Sequence, residues 1–165
     1  RLLTVNLSRD NDGLYLGHNG GKTRNVHDQL HQIWRRLADE GVISEEQYQQ
    51  GTVLNFYKSP EEFMAPLKDD TSAAYRTGLR LVDERTVYVT CPYRRRWNEN
   101  GDTAAFADGL MATIRSWSRH SFVSAAGEAA ADRVYDELRQ RIADAPSEWS
   151  LDYVEHHQMM EKVAS

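Results

Sequence analysis

Two phrases punctuate this chain, and they constrain its folding more than any other feature: Glu40-Gly-Val-Ile-Ser-Glu-Glu, then Asn55-Phe-Tyr-Lys-Ser-Pro-Glu-Glu-Phe. Gly41 suits the left-handed residue that ends a helix. Ser44 with Gln47, and Ser59 with Pro60 and Glu62, have the spacing of capping boxes that open helices. Three helices in quick succession follow: one ending near Gly41, a short one after Ser44, and one after Ser59 that stops near Pro66. Asn25 caps the first, whose Val26, Leu30, Ile33, Trp34 and Leu37 share one face.

Around these helices the hydrophobic period changes. Leu2 to Leu7 reads as a strand, and Asp10 to Lys22, rich in Gly and Asn, as a mobile loop. Tyr75 to Thr90 alternates, with Leu79, Leu81, Val87 and Val89, and predicts a hairpin or two strands turning near Asp83-Glu84. Cys91 to Gly101 reads as a loop. A long helix is expected from Asp102 to about Ser124, and another from Glu128 to about Ala143, stopped by Ala145-Pro146. Asp152 to Val163 closes the chain as a strand, with His156-His157-Gln158 an unusually polar middle. This is an α/β or α+β order of elements.

A chain of 165 residues makes about one domain and can bury roughly 70% of its unfolded surface. The formal net charge is −5, and the only basic run, Arg94-Arg95-Arg96, is short, so nucleic acid is not an expected partner. The single Cys91 excludes an internal disulfide framework and fits a reducing compartment. No apolar run approaches the ~20 residues that span a bilayer, and no leader is visible, so no membrane partner and a cytoplasmic location are expected. An apolar strand at the very start suggests a sheet whose other members are missing.

The phrases around Gly41 and Ser59 also resemble the cap region of the SABATH carboxyl methyltransferases, which carry Glu-Gly-Leu/Ile-Ile followed by acidic residues, then an aromatic and a Pro-Ser-Pro-x-Glu phrase before a helix. Lys58 stands where that family has its first proline. The likeness runs at lower density along the whole chain. It implies an α/β protein: the C-terminal part of a Rossmann-like methyltransferase sheet, its closing strands, with a helical substrate-binding cap. The implied division is 1–9 as a sheet strand, 10–74 as the cap with its mobile loop, and 75–165 as closing strands and long helices. The cofactor-binding N-terminal half would be absent.

The function implied is transfer of a methyl group from S-adenosylmethionine to the carboxylate of an apolar acid, fatty or aromatic. Such an acid is already ionised near neutral pH, so its oxygen attacks the sulfonium methyl without a catalytic base, and none is assigned. Positioning and exclusion of water remain, a contribution of about 7–11 kcal/mol in favourable cases. By the resemblance, Val26, His27, Phe56, Ile114, Trp117 and Tyr153 line the acid's box, with His27 where the family commonly has Trp. The cofactor would be bound by the absent half. The local run Gly17-His18-Asn19-Gly20-Gly21 lacks the G-x-G-x-x-G spacing and reads as a flexible loop. The fragment alone is expected to be inactive, and a homodimer is allowed.

Ordinary core packing accounts equally for Ile114, Trp117 and Phe56. His27 and His31, four apart on a helix, imitate the H-E-x-x-H pattern, but no third ligand follows, so no metal is assigned. Arg94-Arg95-Arg96 with Trp97 could grip an anion such as a carrier phosphate, although a solvated loop serves as well. Two other functions stay open: a non-enzymatic helical interaction module using Trp34 and Trp117, and a small metal hydrolase using His27 and His31.

Overall fold

A computed structural model of the chain describes residues 1–17 and 22–163. It divides into two compact units that interleave along the sequence: Arg1–Gly20, Phe56–Thr90 and Asp152–Ser165 in one, Gly21–Asn55 and Cys91–Leu151 in the other.

The first unit is a three-stranded sheet. Strands β1 (Leu2–Ser8), β2 (Leu79–Val89) and β3 (Tyr153–Lys162) lie in the order β1-β3-β2, with β3 antiparallel to both neighbours. The pleat of β3 sorts its side chains strictly: Val154, His156, Gln158 and Met160 are buried, while Tyr153, Glu155, His157 and Met159 are half-buried. Helix α3 (Pro60–Lys68) packs into this unit. Its capping box forms as the spacing predicts, with Glu62 N–H donating to Ser59 Oγ at 3.3 Å and Ser59 N–H donating to the Glu62 carboxylate at 2.7 Å. Pro66 does not end the helix. It forfeits one backbone donor, and the last residues continue far enough to bury Leu67.

The alternation around Asp83-Glu84 produces no hairpin. β2 is one continuous strand of 11 residues with a register irregularity between Leu81 and Asp83. The segment holds no Gly, Pro or Asn to reverse the chain, and both its halves pair with β3. A short helix, α4 (Ala73–Arg76), leads into it through Gly78, whose φ is +84° and whose missing Cβ would sit 2.5 Å from the Val163 carbonyl oxygen.

The second unit is helical. Besides α1 (Val26–Asp39) and α2 (Glu45–Gln50) it contains α5 (Pro92–Asn100) and α6 (Thr103–Asp144), followed by a 3₁₀ turn at Pro146–Glu148. α1 buries the predicted stripe Val26, Leu30, Ile33, Trp34 and Leu37. α5 corrects the expected loop. Pro92 stands in its first turn, Cys91 Sγ accepts from Arg94 N–H at 3.4 Å, and Gly101 ends it with φ +70°. The two helices expected from Asp102 and Glu128 are the arms of α6, broken at Gly127. The arms touch: the hydroxyls of Ser118 and Tyr135 are 2.8 Å apart, and Tyr135 lies edge-on to Phe122.

Gly127 has φ 80° and ψ 175°, a conformation open essentially to glycine alone, yet a Cβ there would meet nothing within 4 Å. Gly127→Ala should therefore cost only backbone strain, about 1–3 kcal/mol, seen as a fall of several degrees in Tm by calorimetry. An unchanged Tm would mean that the break is not held as described.

His156 is fully buried at the centre of the sheet, stacked on Phe63 at 5.7 Å, and neither ring nitrogen has a hydrogen-bond partner. Burial pushes its pKa below the ordinary 6.5, against the opposing pull of Glu84 and Glu61. A folded-state pKa below the unfolded one means stability present above 6.5 and lost as pH falls through 6.5 toward the folded value. Burial lowers His27 too, in the other unit, and gives a dependence of the same sign. His156→Phe should thus flatten part of the decline in unfolding free energy between about pH 7.5 and 5, measured by urea titration. A slope identical to wild type would remove His156 as its source.

Candidate functional site

The residues expected to line an acid's box divide between the units. Val26, His27, Ile114 and Trp117 lie in the helical unit, and Phe56 and Tyr153 in the sheet unit.

In the helical unit α1 and α6 bring His27 and Trp117 ring to ring, with centroids 5.2 Å apart and planes tilted by 51°. Both are half-buried. Val26 and Ile114 differ, for they are 1% and 0% exposed and offer no surface to a ligand. Ile114 belongs to the apolar interior of the helical unit, with Phe106, Leu110, Val134 and Leu138. In the sheet unit Phe56 is 76% exposed, while Tyr153 is half-buried at the start of β3, in register with Val89.

The polar environment of His27 was not legible from the sequence. Asn55, in the segment after α2, places its amide nitrogen 3.0 Å from His27 Nδ1. With that amide donating, the neutral ring carries its proton on Nε2. Burial lowers the His27 pKa while Asp28 pulls it the other way, which favours the neutral form. One turn along α1, His31 reaches the Tyr48 hydroxyl at 3.1 Å. The two histidines thus share a helix face yet turn to different partners. Among the described residues, no group of three or more His, Cys, Asp and Glu could hold a metal ion.

A small hollow lies beside this pair, lined by His27, Leu30, His31, Trp34, Thr52, Val53 and Phe122. Its volume of about 20 Å³ admits a water molecule and not the tail of an acid. The segment crosses Trp34 closely here, because a Cβ at Gly51 would stand 2.6 Å from the indole, and Trp34 Nε1 donates to the Tyr48 carbonyl at 3.0 Å.

Arg94 does not reach out for an anion. Its guanidinium donates to the carbonyls of Pro146, Trp149 and Ser147 at 2.7, 2.8 and 2.9 Å, so it fastens α5 to the turn after α6. Gly17 N–H is committed to the Asp152 carbonyl at 2.9 Å, and His18, Asn19, Gly20 and Gly21 lie outside the described residues.

No protein-family model matches the chain, and comparison with curated proteins finds no match. Among the described residues, no helix is long and apolar enough to cross a membrane.

The distinction between core and wall is measurable. Ile114→Ala removes a fully buried side chain and should destabilise the protein by about 2–5 kcal/mol in denaturant titrations. A loss below ~1 kcal/mol would show that Ile114 faces open space.

Proposed function

We propose that the chain is the substrate-binding part of an S-adenosylmethionine-dependent methyltransferase of the SABATH type, acting on the carboxylate of an apolar acid. The observation that supports this best is the sheet. The resemblance requires the first strand and the last two to belong to a single sheet that continues into a cofactor-binding half, and these three strands do pair, with β3 between β1 and β2.

The character of the two edges agrees. β2 carries Arg80, Asp83, Glu84 and Arg85 and a register irregularity, features that keep a sheet edge from pairing. β1 has no charged residue, and its Leu3, Val5 and Leu7 form one row on a single face, 59%, 50% and 46% exposed. An edge so apolar and unguarded suits a strand with further sheet beside it.

In this reading the methyl donor is held by residues outside the present chain. The chain's own part is binding and exclusion of water. The acid's oxygen is already charged at neutral pH, so no side chain needs to take a proton. His27 and Trp117 offer a ring surface against which a tail can be set, and ordered contact of that kind contributes through positioning.

The test is methyl transfer by the protein produced together with the segment encoded upstream of Arg1. Labelled S-adenosylmethionine and a series of benzoic and medium-chain fatty acids should yield labelled methyl esters, and none without the upstream segment. Failure of every acid to give an ester would remove the reading.

A further inference from the structure

A groove runs between the two arms of α6, with a volume of about 270 Å³ against the 20 Å³ of the hollow beside His27. Asp108, Met111 and Ala112 line it with Arg115 from the first arm, and Tyr135 and Arg139 from the second. Met111 and Tyr135 are buried and form its floor, while Asp108, Ala112, Arg115 and Arg139 stand exposed at the rim. Two ion pairs bridge the arms: Arg139 meets Asp108 at 2.8 Å, and Arg119 meets Glu128. Arg115, on the same seam, has no carboxylate within ion-pair distance among the described residues. Its guanidinium lies over the Tyr135 ring instead, 4.8 Å from the centroid. A guanidinium resting on an aromatic face is held in place while its N–H donors stay available, and the fork they form matches a planar carboxylate.

We infer that this groove binds a small monocarboxylate, whose two oxygens pair with Arg115 and whose body lies toward Arg139 on the opposite arm. The inference goes beyond the methyltransferase reading and does not rest on it, since the groove shares no residue with the wall at His27 and Trp117. Charge selects the ligand. Arg115 and Arg139 against Asp108 leave the lining with one net positive charge, which a single carboxylate neutralises. A phosphate dianion overshoots that balance beside Asp108, and the surroundings add more negative charge: Asp136 acts on Arg139, and Asp132 on Arg119 and Tyr135. The volume lies just under the range of ordinary ligand sites, so the occupant is compact. Because Arg115 and Arg139 belong to different arms, an acid that touches both ties together two helices otherwise continuous only through the break at Gly127.

Benzoate is the probe, with neutral benzamide of the same shape and inorganic phosphate as controls, all added to the intact protein. Methyl labelling of methionine makes Met111 a reporter in the groove floor, its signal assigned with Met111→Leu. Benzoate should move that signal, and benzamide and phosphate should leave it in place. Arg115→Met keeps the aliphatic stem and should weaken the affinity read at Met111 at least about tenfold; Arg115→Lys, which keeps the charge and loses the fork, should weaken it less. Asp108→Asn removes the opposing charge and releases Arg139, and should tighten binding at least about threefold. The three substituted side chains are exposed, so unfolding midpoints should stay close to wild type. A Met111 signal unmoved by benzoate, or moved as much by either control, overturns the inference. An affinity left unchanged by Arg115→Met, or weakened by Asp108→Asn, overturns it as well. Methyl transfer should be unaffected in Arg115→Met, so a failure of binding here and a failure of the methyltransferase reading are seen separately.

Discussion

The sheet unit is held by a single arrangement: β3, from the far end of the chain, runs between two strands that both oppose it. Strands at residues 2–8 and 79–89 share no ladder and are joined only through β3. Its side-chain alternation fixes both registers at once, because a slip of one residue on either side would turn Val154, His156 and Met160 out of the interior. The polar members of that buried row, His156 and Gln158, are costly residues for such a place. Gln158 recovers one contact, with the Thr4 hydroxyl at 3.3 Å, while His156 is left with aromatic stacking and a carboxylate at 3.4 Å that becomes an ion pair only on protonation.

The helical unit follows a different rule. Its stability comes from two apolar stripes, on α1 and on the two arms of α6, and from tryptophans whose polar ends are tied to backbone or hydroxyl acceptors. The conformation at Gly127 lets one sequence segment supply both arms. Around this interior, His27, Asn55 and Trp117 form a margin where aromatic surface and polar groups meet. That margin carries the proposed recognition of an acid, and the apolar interior behind it supplies rigidity.

Much of this was legible in the residues themselves. The caps at Asn25, Ser44 and Ser59 and the α1 stripe follow from local chemistry, which does not depend on distant neighbours. What the sequence concealed was set by partners far along the chain. β2 looked like a hairpin because its pattern weakens at Asp83 and Glu84, where pairing with β3 carries it through. α5 looked like a loop because Arg94, Arg95 and Arg96 are polar, while the carbonyls that hold Arg94 lie some fifty residues later. In the candidate site, His27 and Trp117 were named only through the resemblance, and the contact between their rings and the place of Asn55 beside them had no signal in the sequence. Val26 and Ile114 could not be separated from core by period, since core and pocket wall share the same apolar stripe.

The central claim is that an acid lies on the wall at Trp117, and the four indole N–H signals report on it directly. In proton–nitrogen spectra of the intact enzyme, adding an aromatic acid should move the Trp117 indole signal, leaving those of Trp34, Trp97 and Trp149 nearly in place. If the acid binds and the Trp117 signal stays where it was, the wall does not hold the substrate.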